Sequence, residues 1–160
     1  MIFVTVGTQG PFDRLISAMD EIAGTMPEVR FVAQVSKGRY KVKNMTCFEF
    51  ISPAEFDEYF SSAKLIVSHA GMGTIISAFE RSKPIVIFPK FHSLGEHRND
   101  HQLATARKLG SLNYIHVAYT PAELRDKIHS VLDGGLSPLH KVGKYASSEL
   151  INSLQSFISV

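Results

Sequence analysis

The sequence predicts an α/β fold: a Rossmann-like, mainly parallel sheet with helices on both faces. Three observations carry it. Short β-branched runs alternate with amphipathic helical patterns along the chain, as in repeated βαβ units. The run Lys83–Pro89 (KPIVIFP) lacks polar alternation, as a strand covered on both faces does. The most unusual loops, after Gly7, His69 and Pro89, all follow strands, and such sheets bind ligands outside strand carboxyl ends.

Each element has its own signal. Met1–Gly7 (MIFVTVG) is β-branched and aromatic and stops at Gly, so it reads as a strand. Pro11–Gly24 carries apolar residues at Phe12, Leu15, Ile16, Met19 and Ile22, with Pro at the start and Gly at the end, so it reads as an amphipathic helix. Arg30–Val35 is a strand, Lys37–Asn44 (KGRYKVKN) a basic loop, and Met45–Ile51 a strand holding Cys47 as a packing residue. Ser52-Pro53 with Glu55 opens a helix to Ala63 with a capping box. Lys64–His69 is a short buried strand, and Gly73–Ser82 the helix after it. Phe91–Asp100 is a polar loop, His101–Gly110 a helix and Asn113–Ala118 a strand. Thr120–Gly135 is a helix with a Thr cap and Pro in its first turn. Val142–Val160 reads as a last amphipathic helix, with a surface for a partner or a second copy if it docks incompletely.

At 160 residues the expectation is one domain, 1–160. A net charge of +2 is too small to argue for nucleic acid, and the single Cys47 excludes an internal disulfide. The start Met1-Ile2-Phe3-Val4 has no basic leader, and no apolar run nears the ~18 residues of a membrane span. The expected location is therefore cytoplasmic.

The chemistry concentrates in the loops. Within KLIVSHAGMGTIISAFE (Lys64–Glu80), His69, Gly71, Met72, Gly73 and Thr74 sit where a strand turns into a helix. Unpaired N–H groups and the helix dipole there favour a phosphate, and glycines permit close approach. The same glycines also suit a plain tight turn, and the spacing is neither G-x-G-x-x-G nor a P-loop. Gly7, Thr8 and Gln9 either add donors to the same cleft or form a turn capping the first helix. Gly95–Gln102 (GEHRNDHQ) is the densest polar cluster, with His97 and His101 at i,i+4 if the helix begins early. Its alternating donors and acceptors suit sugar hydroxyls better than a metal, so no metal is expected. His92, His116, His129 and His140 read as structural or surface residues, and no Ser-His-Asp or Cys-His order suggests a covalent hydrolase.

Together, MIFVTVGTQGPFDRLI, SHAGMGTIISAFERSKPIVIFPK and LGEHRNDHQLATARKLG resemble the glycosyltransferase family 28 C-terminal domain, over roughly Met1–Ala118. The resemblance is strongest to short stand-alone bacterial members of exopolysaccharide and capsule pathways. It extends to the soluble subunit of the split eukaryotic transferase that adds the second N-acetylglucosamine to dolichol-linked oligosaccharide. It implies the donor-binding half of a GT-B glycosyltransferase, with no cofactor and a nucleotide diphosphate sugar, UDP-linked, as substrate. It implies that Gly71–Thr74 hold the diphosphate and Gly7–Gln9 face it, while Glu96, Asp100, His101 and Gln102 reach the sugar. Relatives carry a ribose-contacting Glu at the position of Ser77; here the nearest acid is Glu80. The resemblance further implies a membrane-anchored partner that binds the lipid-linked acceptor and supplies the general base, leaving this chain peripheral at the inner membrane face. A non-catalytic accessory role and a sugar-nucleotide epimerase remain alternatives, the latter needing two domains in one chain.

Overall fold

A computed structural model describes residues 1–134, 137–143, 148, 152, 155 and 156. Its strands are β1 (Ile2–Thr5), β2 (Phe31–Gln34), β3 (Thr46–Phe48), β4 (Leu65–Ser68), β5 (Ile85–Ile87) and β6 (His116–Val117). The helices are α1 (Asp13–Gly24), α2 (Pro53–Ser62), α3 (Met72–Glu80), α4 (His101–Ser111) and α5 (Pro121–Leu132). One 3-10 turn, His92–Leu94, interrupts the loop after β5. All pairings are parallel, in the order β3-β2-β1-β4-β5-β6. That is the doubly wound order, whose switch point lies between β1 and β4.

Side-chain alternation sorts the sheet into two cores. Ile2, Val4, Leu65, Val67 and Val86 point to one face, where Leu15, Ile16 and Met19 of α1 and Leu124 and Ile128 of α5 cover them. Phe3, Ile66, Ile85 and Ile87 point to the other, under Phe60 of α2, Ile75 and Ala78 of α3 and Ala106 of α4. Phe3 anchors that second face, with its ring centroid 5.4 Å from Phe56, 5.9 Å from Tyr59 and 6.3 Å from Phe60. β1, β2, β4 and β5 are buried throughout, which is why their sequences lack polar alternation.

The helix starts follow their sequence signals. Ser52 Oγ accepts from Glu55 N at 3.2 Å, and Glu55 Oε2 accepts from Ser52 N at 2.8 Å, the expected capping box. Thr120 Oγ1 accepts from Glu123 N in the same way. Expectations at the two sheet edges need correction. Met45–Ile51 shrinks to the three residues of β3 and Asn113–Ala118 to the two of β6, because an edge strand has a partner on one side only. Cys47, in β3, is exposed rather than packed. Most of the helix expected over Val142–Val160 lies outside the described residues. Before it, His140 stacks on Tyr114 at 4.0 Å and meets the edge of Phe79 at 5.0 Å.

Candidate functional site

A cleft of about 710 Å³ opens at the carboxyl edge of the sheet, over the switch point. Gly7, Thr8 and Gln9 form one side, His69 to Thr74 the floor, and His97, His101, Gln102 and Thr105 the far side. Ile51, Pro53 and Phe56, from the loop after β3 and the start of α2, add an apolar flank.

The floor is the start of α3. Gly71 is the N-cap and no side chain caps the helix. The N–H groups of Met72, Gly73 and Thr74 therefore face the cleft without an intrahelical acceptor, at the positive end of the helix dipole. A Cβ built on Gly73 meets nothing within 4 Å, so this backbone is open to a ligand.

His69 explains the other two glycines. Its imidazole is wedged between the two loops: a Cβ on Gly7 would lie 2.5 Å from His69 Cε1, and one on Gly71 would overlap His69 Nε2. Gly7 also holds φ +71°, which L side chains rarely adopt. Its N–H donates to Thr5 Oγ1 at 3.2 Å, and Thr5 Oγ1 donates to Gln34 Oε1 at 2.9 Å. His69 Nδ1 lies 3.2 Å from Ser68 Oγ, whose hydroxyl donates to Thr5 O at 3.1 Å. Burial, reinforced by the Lys90 charge and then by His97, pushes His69 down to about 4, against a backbone bond to Thr5. The ring is neutral at pH 7, a polar wedge rather than a cation.

The polar cluster divides in two. His101 and Gln102 line the cleft; Glu96 and Asp100 do not. Glu96 pairs with Arg14 through both oxygens (2.7 and 3.0 Å) and accepts from Phe91 N at 2.9 Å. Arg14 also donates to Pro89 O at 2.7 Å and lies 4.3 Å from the centre of the Phe88 ring. Asp100 accepts from His92 N at 3.1 Å. Gln102 Oε1 accepts from Ala70 N (3.2 Å) and Lys90 N (3.3 Å), so it also ties the loop after β4 to the loop after β5. α4 begins at His101, so His97 and His101 do not share a helical face, a correction to the early helix start. Among the described residues no group of three or more His, Cys, Asp or Glu is arranged to hold a metal.

Sequence reasoning missed Lys90 and the apolar flank. Lys90 is 1% exposed and its Nζ donates to the carbonyls of Gln9 (3.4 Å), Gly10 (3.3 Å) and Pro11 (3.1 Å), pinning the loop that carries Gly7–Gln9. Burial pushes its ammonium below the usual lysine range, against the pull of Glu96. The flank did leave a signal, since Ile51 and Pro53 stand directly after a strand. Ser77 lines the cleft, and Glu80 does not.

A doubly wound sheet with a cleft at its switch point defines a class of ligand-binding domain, not a chemistry. Comparison with known proteins narrows it. The model of the glycosyltransferase family 28 C-terminal domain matches residues 1–154, and the chain belongs to that family. It is 30% identical over 118 residues to the human UDP-N-acetylglucosamine transferase subunit ALG13, covering 68% of this chain and 10% of the human protein. The solution structure of ALG13 superposes with a TM-score of 0.61 at 20% identity, over 96% of this chain and 93% of that one. UDP-GlcNAc 2-epimerase from Neisseria meningitidis, bound to UDP-GlcNAc, superposes with a TM-score of 0.63 at 13% identity, over 97% of this chain and 43% of that one. Both superpositions are likenesses of fold. The chain thus spans about a tenth of the human relative and less than half of the epimerase.

Proposed function

We propose that this chain is the donor-binding subunit of a two-component glycosyltransferase. It takes a nucleotide diphosphate sugar, UDP-linked, and acts with a membrane-anchored subunit that binds a lipid-linked saccharide. The product is a repeat unit of an exopolysaccharide or capsule. One observation carries the reading: the loops after β1 and β4 and the start of α4 converge on one cleft over the uncapped start of α3.

Each part of the cleft fits a part of such a donor. The N–H groups of Met72, Gly73 and Thr74 suit the diphosphate. The flank of Ile51, Pro53 and Phe56 suits the flat base, and Ser77, on α3 between them, suits a ribose hydroxyl. His101 and the amide nitrogen of Gln102, which makes no hydrogen bond among the described residues, suit sugar hydroxyls. In transfer, charge develops on the departing nucleotide diphosphate, and fixed donors already aimed there stabilise it without reorganising. The acceptor hydroxyl needs a general base within hydrogen-bond reach. His69, neutral and wedged under the loops, is built to hold the backbone, so this reading assigns the base to the partner. The names of the similar proteins support it, since one is a UDP-N-acetylglucosamine transferase subunit and the other binds UDP-GlcNAc.

The test is transfer. The chain is assayed with radiolabelled nucleotide sugars and a lipid-linked acceptor, alone and with a candidate membrane-anchored acceptor subunit. Transfer only with both supports the reading; robust transfer by the chain alone overturns the two-component part of it.

A further inference from the structure

The crossover from β2 to β3 joins parallel strands without a helix. Such connections usually carry one. Here the basic loop Lys37–Asn44 lies against the α1 face instead, with Tyr40 and Val42 packed on the core beneath it. Two carboxylates of α1 hold its backbone. Asp13 accepts from Arg39 N through both oxygens (3.1 and 3.0 Å). Asp20, 1% exposed, accepts from Lys43 N (3.1 Å), Asn44 N (2.7 Å) and Tyr40 Oη (3.1 Å), and its own carbonyl accepts from Asn44 Nδ2. A Cβ on Gly38 would push against Asp13 Oδ1, so a side chain there would displace the carboxylate that holds Arg39 N.

The acids thus bind the backbone and leave the cationic side chains outside. Lys37, Arg39, Lys41 and Lys43 are all exposed, alternating with the inward Tyr40 and Val42. Among the described residues only Lys37 has an ion-pair partner, an exposed Glu49 at 3.9 Å. Ser36 N donates to Glu49 O, which sets the start of the row beside Phe50, an aromatic residue 54% exposed. The row begins just after Gln34, which lines the cleft.

From this we infer that the Lys37–Lys43 row is a docking surface for an anionic lipid bilayer. A fixed row of cations with an exposed aromatic beside it is the chemistry that engages anionic headgroups and the interface below them. A duplex polyanion fits less well, because the exposed Phe50 beside the row has an apolar layer to enter only at a bilayer. The choice of a membrane also rests on the proposed lipid-linked acceptor, which is held in such a surface.

The test is sedimentation of the full chain with phosphatidylcholine vesicles, with and without about one third phosphatidylglycerol. The chain is expected to bind the anionic vesicles only, and to be released by about 0.5 M salt. Replacing Lys37, Arg39, Lys41 and Lys43 by Ser leaves the backbone donors to Asp13 and Asp20 intact. Partitioning should fall about fivefold per charge removed, with Tm and UDP affinity unchanged. Replacing the three lysines by Arg should keep binding. Equal binding to both vesicles, binding to neither, or unchanged partitioning of the Ser variant would overturn the inference, as would tighter binding to duplex DNA than to anionic vesicles. Vesicle binding with no nucleotide diphosphate binding, alone or with the membrane partner, would sink the donor reading and leave the docking surface standing.

Discussion

Gly7 and His69 are built around each other: the imidazole occupies the space that any side chain at residue 7 needs. The contact joins the loop after β1 to the loop after β4, and these two loops frame the cleft. Gly7→Ala forces both a collision with the ring and a side chain at φ +71°. We expect a loss of about 2–4 kcal/mol of stability from strain and displaced packing, measured by urea denaturation. UDP affinity should fall as well. A variant as stable as the parent would show that His69 does not fix this loop.

Gly73 gives the opposite case. A side chain there meets open space within the cleft, and Val costs a helix no more than Gly does. Gly73→Val should keep Tm within about 2 °C and weaken nucleotide diphosphate binding at least tenfold, by blocking the start of α3. Calorimetric titration of the folded variant decides it; an unchanged affinity removes the diphosphate from this position.

His69 sets a pH dependence. Its folded value of about 4 lies below its ordinary value near 6.5. Between these values the unfolded chain takes up a proton that the folded chain refuses. Stability is therefore lost as pH falls from about 6.5 towards 4, by up to ~3 kcal/mol from this group. His116, also lowered by burial, adds in the same sense. His69→Gln should flatten the stability profile in that window by its share, and proton NMR of the ring in the parent protein should give the low value directly. A ring that titrates near 6.5 contradicts the buried wedge.

Lys90 pins the first loop from below. Lys90→Met keeps the stem and removes the charge, leaving the carbonyls of Gln9, Gly10 and Pro11 without their shared donor. The loop residues are exposed or half-buried and their carbonyls can turn to water, so a loss of about 1–3 kcal/mol is the expected outcome. Hydrogen exchange should rise first in residues 7–12. An exchange pattern like that of the parent would show that the lysine does not hold the loop.

The sequence revealed what local chemistry dictates. Fully apolar strands, Pro and Ser or Thr at helix starts, and glycines at a strand-to-helix turn each have a short-range cause. They located the six strands and five α-helices from β1 to α5, and the loops around the cleft, but not the 3-10 turn His92–Leu94. Pairing over long separations was hidden. Glu96 in a polar loop looks the same whether it faces a sugar or an arginine 82 residues away, and the structure gives it to Arg14. Gln102 was legible as a polar residue at a helix start, but not as the acceptor for both Ala70 N and Lys90 N. Cys47 looked internal because a strand pattern does not tell an edge from a centre.

The central claim is that the cleft over α3 binds a nucleotide diphosphate sugar. Isothermal titration of the chain with UDP, GDP and their hexose and N-acetylhexosamine conjugates tests it most directly. The account predicts saturable binding of one nucleotide series. Gly73→Val should abolish it, and Gln102→Ala should weaken the sugar conjugate more than the bare diphosphate. Binding of no nucleotide by the chain, alone or with its membrane partner, or binding that Gly73→Val leaves intact, would contradict it.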